Sequence, residues 1–453
     1  MVYVIISNFK IYIISKIIFF HFSFFFFIFS CSNKEYDLTK FENPEWIHAS
    51  IKNLTNVVVY DIFSPPVASR VYAYPAIAAY EIIRQKDTVN YNSLAEQLNG
   101  LTPVPKPSTI INLNIAAIES IRIVGKNFIF SEARYEEFYK DFFKKKEFKD
   151  ISRHVLIESR EYGRIVSEHI LNWASKDNYA QTRTFSKYTI KEEPSFWKPT
   201  PPDYMDGIEP HWNKIRTMVI DSASQFPATK PFSFSLNKNS LFHNQLMEVY
   251  SVTNNLTDEQ IEIAKFWDCN PYVSHHKGHA MFATKKITPG GHWINICKIV
   301  SEKSKSNDIE SIRTYALVSI SLFDAFISCW DEKWKTIVVR PETIINEYID
   351  EDWLPLLQTP PFPEYTSGHS VISRASAVIL TDIYGKDFSF DDTSEMEFGL
   401  PMRSFNSFIE ASEEAAISRL YGGIHYEMAI TNGVSQGQKI GDFIVKQLKT
   451  IKN

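Results

Sequence analysis

Cysteine is scarce in this chain of 453 residues, with four in all, at positions 31, 269, 297 and 329. Once Cys31 is set aside as part of a leader, the remaining three are too few for a disulfide framework. No CxxC pair occurs among them, which argues against a structural zinc site. Glycine is also sparse, at 15 residues, and alternating strand patterns are few, so helix is favoured over sheet. Positive charge is not in excess: 48 Lys and Arg stand against 53 Asp and Glu, a formal net charge of −5. Nucleic acid demands a basic face and is therefore excluded as a partner. After residue 31, no uninterrupted apolar run reaches the about 20 residues of a membrane-spanning helix.

What is present is apolar and aromatic. Hydrophobic residues make up 44 %, with 34 Phe and 22 Tyr, enough for a large core and against a disordered chain. Residues 1–31 differ in kind. Lys10 and Lys16 come before or at the start of a very apolar run, Ile17 to Ser30, broken only by His21 and Ser23 and followed by Cys31-Ser32-Asn33. A secretory signal fits this pattern. The cysteine at the cleavage point resembles that of a bacterial lipoprotein signal, which implies an exported chain lipidated at Cys31; an ordinary signal peptide or an uncleaved anchor is the alternative. The lipidated chain would be periplasmic, in the outer membrane or at the cell surface. Phe29 is bulkier than that pattern prefers. Removing residues 1–31 takes away two lysines and no acid, leaving 46 basic residues against 53 acidic and a net of −7.

The rest divides into an N-terminal helical half, 32–225, and a C-terminal half, 226–453, giving an all-α fold of helical bundles. Helical spacing runs from Ile51 to Arg84, with a restart at Ser64-Pro65-Pro66, where proline suits a first turn. A buried helix is expected over Ile110 to Phe130 and a long amphipathic stretch from Ala133 to Lys176. Five prolines among Trp197, Tyr204 and Trp212 make residues 190–212 an irregular connection. Thr257 to Gln260 forms a capping box. His275 and His279 would sit one turn apart on a helix. Without a third carboxylate ligand this spacing points to packing or pocket lining rather than metal. Ser311 to Lys333 is apolar and helical, with Asp324 and Asp331 embedded in it.

The chemistry concentrates late. In Pro363-Glu364-Tyr365-Thr366-Ser367-Gly368-His369-Ser370 a hydroxyl, a glycine amide and an imidazole stand consecutively, before the helical run Val371 to Leu380 with Gly385 as its stop. The amides of Gly368 and His369 would lie at a helix N-terminus, which favours an anion. Upstream, Lys333 and Arg340 are seven apart, two turns on one face of a continuous helix. Downstream, Ser418-Arg419 is followed by His425 after the helix-breaking Gly422-Gly423. Each cation alone is more often a surface charge. Three cations, a hydroxyl, amides and two imidazoles together describe a site for a tetrahedral oxyanion.

Lys-x6-Arg-Pro, Ser-Gly-His and Ser-Arg-x5-His resemble the three-part signature shared by type-2 phosphatidic acid phosphatases, bacterial acid phosphatases and vanadium haloperoxidases. Here it is carried by Lys333 and Arg340-Pro341, Ser367-Gly368-His369, and Ser418-Arg419 with His425. The chain departs from it twice: Thr366 replaces a frequent Pro, and Ala429 replaces an Asp that commonly follows the last His by four. The resemblance implies that Lys333, Arg340, Ser367, Gly368, Arg419 and His425 hold vanadate or phosphate. His425 would be the metal ligand or phosphorylated nucleophile, and His369 the acid–base group. Trp330 and Phe362 stand at offsets similar to the halide-pocket aromatics of the haloperoxidases, with Tyr272 near the rim. The expected activity is therefore oxidation of halide, iodide first, by hydrogen peroxide with vanadate as cofactor, and with Lys333 polarising peroxide. An exported phosphomonoesterase acting through a phosphohistidine at His425 is the alternative.

Overall fold

The computed structural model describes residues 42–452, except 146, 147, 149, 150 and 278. The leader expected over residues 1–31, Cys31 included, lies outside the described residues. Among the described residues, five helices longer than two turns build the first half: α1 (Pro44–Tyr60), α2 (Pro65–Ile83), α3 (Leu113–Lys126), α4 (Glu132–Phe142) and α5 (Arg153–Ala174). The stretch expected as one long amphipathic run is thus two helices, α4 and α5. The second half carries α6 (Leu241–Thr253), α7 (Asp258–Phe266), the strands β1 (Ser274–Lys277) and β2 (Ala280–Ala283), α8 (Pro289–Lys303) and α9 (Asp308–Thr336). Then come α10 (Pro341–Tyr348), α11 (Gly368–Tyr384), strands β3 (Phe390–Asp392) and β4 (Arg403–Phe405), α12 (Phe408–Tyr421) and α13 (Glu427–Gln447). Each strand pair is a two-stranded antiparallel ribbon. The fold is all-α.

The segment holding His275 and His279 is the β1–β2 hairpin, with Ser274 opposite Ala283. The two histidines are therefore not a helical pair, and His279 is exposed at the tip.

Helix α9 is the spine. It opens on a capping box between Asn307 and Glu310, which satisfies donors that an unfinished helix leaves orphaned. It is long and apolar enough to cross a membrane, yet 94 % of its most apolar window is buried by other parts of the chain. Helix α2 packs on it from the first half, and α11 from the second. Every residue of α2 is itself buried, as its Ala- and Tyr-rich sequence requires.

Two glycines set the closest approaches of one helix to the backbone of another. A Cβ on Gly163 of α5 would meet the Ala116 carbonyl of α3 at 2.4 Å, and one on Gly437 of α13 would meet the Val371 carbonyl of α11 at 2.2 Å. Only glycine fits at such distances. The second contact presses α13 onto the first turns of α11, where the Ser-Gly-His segment begins.

Asp324, on α9, accepts backbone hydrogen bonds from Met218, Val219 and Ile220 at 2.6, 2.7 and 3.0 Å. Burial pushes its pKa up to about 6, against those three donors. Asp331 bonds Asn213 and Lys335. Both aspartates tie irregular segments to the spine.

Candidate active site

Ser367 is the N-cap of α11. Its hydroxyl accepts from the Ser370 amide at 3.3 Å, so the cap fixes the turn that presents Gly368 and His369. Its own amide donates to the Ala429 carbonyl at 3.1 Å, joining the turn to α13. Residue 429 thus contributes its backbone where a side chain was expected.

Lys333 and Arg340 do not share a helix face. Helix α9 ends at Thr336, and Ile337 caps it in the left-handed region at φ 52°, an uncommon conformation for a β-branched residue. The chain turns there, and Arg340 becomes the N-cap of α10. Both side chains nevertheless finish in the same place, fully buried at 0 % exposure.

The Lys333 ammonium donates to the carbonyls of Pro363, Glu364 and Thr366 at 2.9, 3.0 and 2.6 Å. Its three protons clamp the loop before Ser367. Arg340 donates through Nε to the Phe362 carbonyl at 3.0 Å. Its Nη1 donates to the Ile424 carbonyl at 2.7 Å and stands 3.1 Å from His425 Nε2. Arg419 donates through Nε to the Ser418 hydroxyl at 3.0 Å and through Nη2 to the Trp267 carbonyl at 2.7 Å.

His425 follows Gly422, the C-cap of α12, and Gly423, whose φ of 75° turns the chain inward. The carboxylate that orients it is Glu364. Its Oε1 lies 2.7 Å from His425 Nδ1 and accepts the Tyr426 amide at 3.0 Å. With Nδ1–H donating to the carboxylate, Nε2 carries the lone pair. This residue was missed from sequence, although it is the only acid between Asp352 and Asp382 and lies within the stretch that drew attention.

Burial dominates the electrostatics. It pulls Lys333 down to about 7 and Arg340 to about 10, and pushes Glu364 up to about 7. Burial and then the Arg340 guanidinium hold His425 well below the ordinary histidine range. Burial and then Arg419 do the same to His369. Both shifts favour the neutral imidazole.

Gly368, His369, Arg419 and His425 line one cleft of about 460 Å³ including its mouth, together with Trp330 and Phe362. The two aromatic rings stand 5.0 Å apart between centroids. The Lys333 nitrogen lies 5.1 Å from the Phe362 ring centre, as does the Arg340 guanidinium carbon. Lys333 holds the loop that carries this lining through its three carbonyl bonds.

The residues fit a tetrahedral oxyanion. Three buried cations gather here, with Glu364 and Glu342 near Arg340 and Asp268 near Arg419 as the carboxylates that balance them. Arg340 Nη2 and His369 Nε2 are buried with no protein partner, an arrangement that usually marks a ligand. A Cβ on Gly368 would come 3.6 Å from Trp330, on the wall that both residues give to the cleft.

A solved structure titled as the first bacterial vanadium-dependent iodoperoxidase is similar over 91 % of this chain and 98 % of its own, at 50 % identity and a TM-score of 0.86. The chain belongs to the vanadium-dependent haloperoxidases. The family description "VCPO second helical-bundle domain" matches residues 313–453, which hold every signature residue named above. Two structures of bacterial vanadium-dependent chloroperoxidase, holo and apo, share 16 % identity over 85 % of this chain, with TM-scores of 0.64 and 0.63. At that identity they show the fold alone. No curated protein matches the chain.

Proposed function

We propose that this haloperoxidase uses vanadate and hydrogen peroxide to oxidise halide, with iodide the favoured substrate. The observation that carries this reading is the oriented His425 Nε2, set among three buried cations beside the Trp330–Phe362 pair. Iodide is favoured because the similar structure at 50 % identity is named as an iodoperoxidase, and because a large polarisable anion suits an aromatic wall beside buried cations.

The residues divide the work as follows. Arg340, Arg419 and the amides at the start of α11 hold the oxyanion, through charge and helix-end donors. His425 presents Nε2 as the metal ligand, kept in that tautomer by Glu364. His369, neutral and with Nε2 unpartnered, takes a proton from incoming peroxide. Vanadate, when bound, supplies a Lewis acid that activates peroxide toward halide. Lys333 lends positive charge from behind the loop. A direct hydrogen bond from it to a bound oxygen requires release of one of its three carbonyls. Trp330 and Phe362 exclude water and contact the halide.

The exported location rests on the leader pattern and on Cys31 as the lipidated residue. Mass spectrometry of the mature N-terminus tests that part directly. An acylated Cys31 is the expected result, and an intact residue 1 would overturn it.

Iodide oxidation by metal-stripped protein, before and after addition of orthovanadate, tests the chemistry, with aryl phosphate hydrolysis run in parallel. Activity that depends on vanadate, greatest with iodide, is expected. Hydrolysis without vanadate, together with no halide oxidation in its presence, would make the phosphohistidine reading correct instead.

A further inference from the structure

A second polar cluster lies beside the cage, and the haloperoxidase reaction does not use it. Cys269 follows α7, His292 sits in the first turn of α8, and Glu395 follows β3; all three are buried. Cys269 Sγ is 3.4 Å from His292 Nδ1 and 3.9 Å from Glu395 Oε1, and His292 Nδ1 is 3.1 Å from Glu395 Oε1. Three ligand-type atoms from three distant segments therefore face a common point. On its other nitrogen, His292 Nε2 lies 2.7 Å from Asp392 Oδ2.

We propose that Cys269, His292 and Glu395 bind a zinc ion, with Asp392 as the carboxylate that orients the histidine. The distances carry the assignment. Zinc bonds of about 2.0–2.2 Å to nitrogen and oxygen and about 2.3 Å to sulfur give tetrahedral edges of about 3.3–3.6 Å. The three measured edges straddle that range. A carboxylate on the outer nitrogen of a ligating histidine is the usual supporting contact at zinc sites. Trp267 stacks on the imidazole face at 4.5 Å and 17°, so the ring plane is left to Asp392 on Nε2 and to Glu395 and Cys269 on Nδ1. Cys269 also lines the active-site cleft, so that cleft gives the ion its path and a water its fourth position.

Hydrogen bonding alone accounts for the cluster less well. Nδ1–H can bond Glu395 and the thiol can donate to the same carboxylate, but a sulfur–oxygen contact of 3.9 Å is long for a hydrogen bond, whereas all three distances suit ligands to one ion. Binding zinc releases the thiol proton, and the Nδ1 proton of a charged imidazole, to solvent; the metal then takes the sulfur, nitrogen and oxygen lone pairs. The absence of any CxxC concealed the site, since its ligands lie 23 and 103 residues apart along the chain.

The ion would stiffen the neighbouring cage. Trp267, held against His292, gives its carbonyl to Arg419, and its backbone is hydrogen-bonded to His369.

Elemental analysis of the full chain as purified, and zinc titration after stripping, both without vanadate, test the assignment. Stoichiometric zinc is expected in the wild type. Cobalt in its place should give a sulfur-to-metal charge-transfer band that disappears in Cys269→Ala. Asp392→Asn, which keeps all three ligands, should weaken zinc about 10–100-fold. Circular dichroism checks that each variant folds; if Cys269→Ala does not, Glu395→Gln replaces it in the zinc-affinity measurement, where weaker binding is expected. A wild-type chain with no zinc above background overturns the assignment. So does a folded ligand variant that binds zinc as tightly as the wild type.

Discussion

His425 and His292 are built alike and placed in opposite fields. Each is a buried imidazole with one nitrogen 2.7 Å from a carboxylate oxygen, Glu364 in one case and Asp392 in the other. Around His425 the neighbours are cations, and after burial the Arg340 guanidinium holds its pKa well down. Around His292 they are Asp392, Glu395 and a thiol. Burial again opposes the charge, but Asp392 and then Cys269 outweigh it and hold the pKa well above the ordinary value. The carboxylate sets ring orientation and tautomer in both places. The sign of the surrounding charge then suits the second nitrogen to different partners: the proposed oxyanion at His425, the proposed cation at His292.

Removing one histidine separates the two fields most sharply. His425→Ala should reduce vanadate-dependent iodide oxidation by about 10³-fold or more, at least the about 10²–10³ lost with a single oxyanion donor. Its zinc content should not change. Retained activity in the folded variant would remove His425 from the role of metal ligand, and loss of zinc as well would mean that the two sites are one.

The two carboxylates offer a finer cut. Glu364→Gln keeps a hydrogen-bond acceptor for Nδ1 but removes the charge, and should weaken vanadate by about 10–100-fold while leaving zinc affinity alone. The same loss of charge at Asp392 should do the reverse. Equilibrium titration of both ligands on both variants gives four numbers. A Glu364→Gln chain that binds vanadate like the wild type would show that the peptide frame, not the carboxylate, orients His425.

These carboxylates also mark how far the sequence could be read. Local signals located the helical run Val371 to Leu380, its stop at Gly385, the Gly368 and His369 amides at its start, and the glycines that turn His425 inward; the N-cap role of Ser367 emerged only from the structure. Spacing also brought Lys333, Arg340 and Arg419 into one site. It placed the first two on one helix, however, because no local rule anticipates Ile337 in a left-handed cap. It left His425 without an orienting partner, because Ala429 drew attention to the wrong side chain while Glu364 stood 61 residues upstream. The His275–His279 pair invited a helix and formed a hairpin. Cys269, His292 and Glu395 were invisible for the same reason as Glu364: tertiary contacts across long separations leave no period in the sequence.

A smaller effect separates the fields by pH. Lys333 titrates near 7 instead of at 10.5, with burial the first cause. Its folded value lies below its unfolded one, so between these limits the unfolded chain holds the extra proton and stability rises with pH. A bound oxyanion favours the charged ammonium. Oxyanion binding at pH 8 should therefore take up a proton, and affinity should fall by up to about tenfold per pH unit above 7. Calorimetry of phosphate or vanadate binding in buffers of different ionisation enthalpy reads that proton. Binding heats that do not depend on the buffer would show that Lys333 stays charged throughout.

Trp267 joins the two sites, and changing it should have the smallest effect. Its ring stacks on His292, its indole N–H donates to Glu414 at 3.0 Å, and its carbonyl accepts from Arg419. Trp267→Phe keeps an aromatic face and the carbonyl but loses the N–H bond and part of the stack, a change of about 0.5–1.5 kcal/mol. Zinc and vanadate affinities should then fall together, each by about two- to tenfold. A fall in zinc alone would mean that the carbonyl holds Arg419 whatever the ring does, so that the two histidines share a wall and no energy.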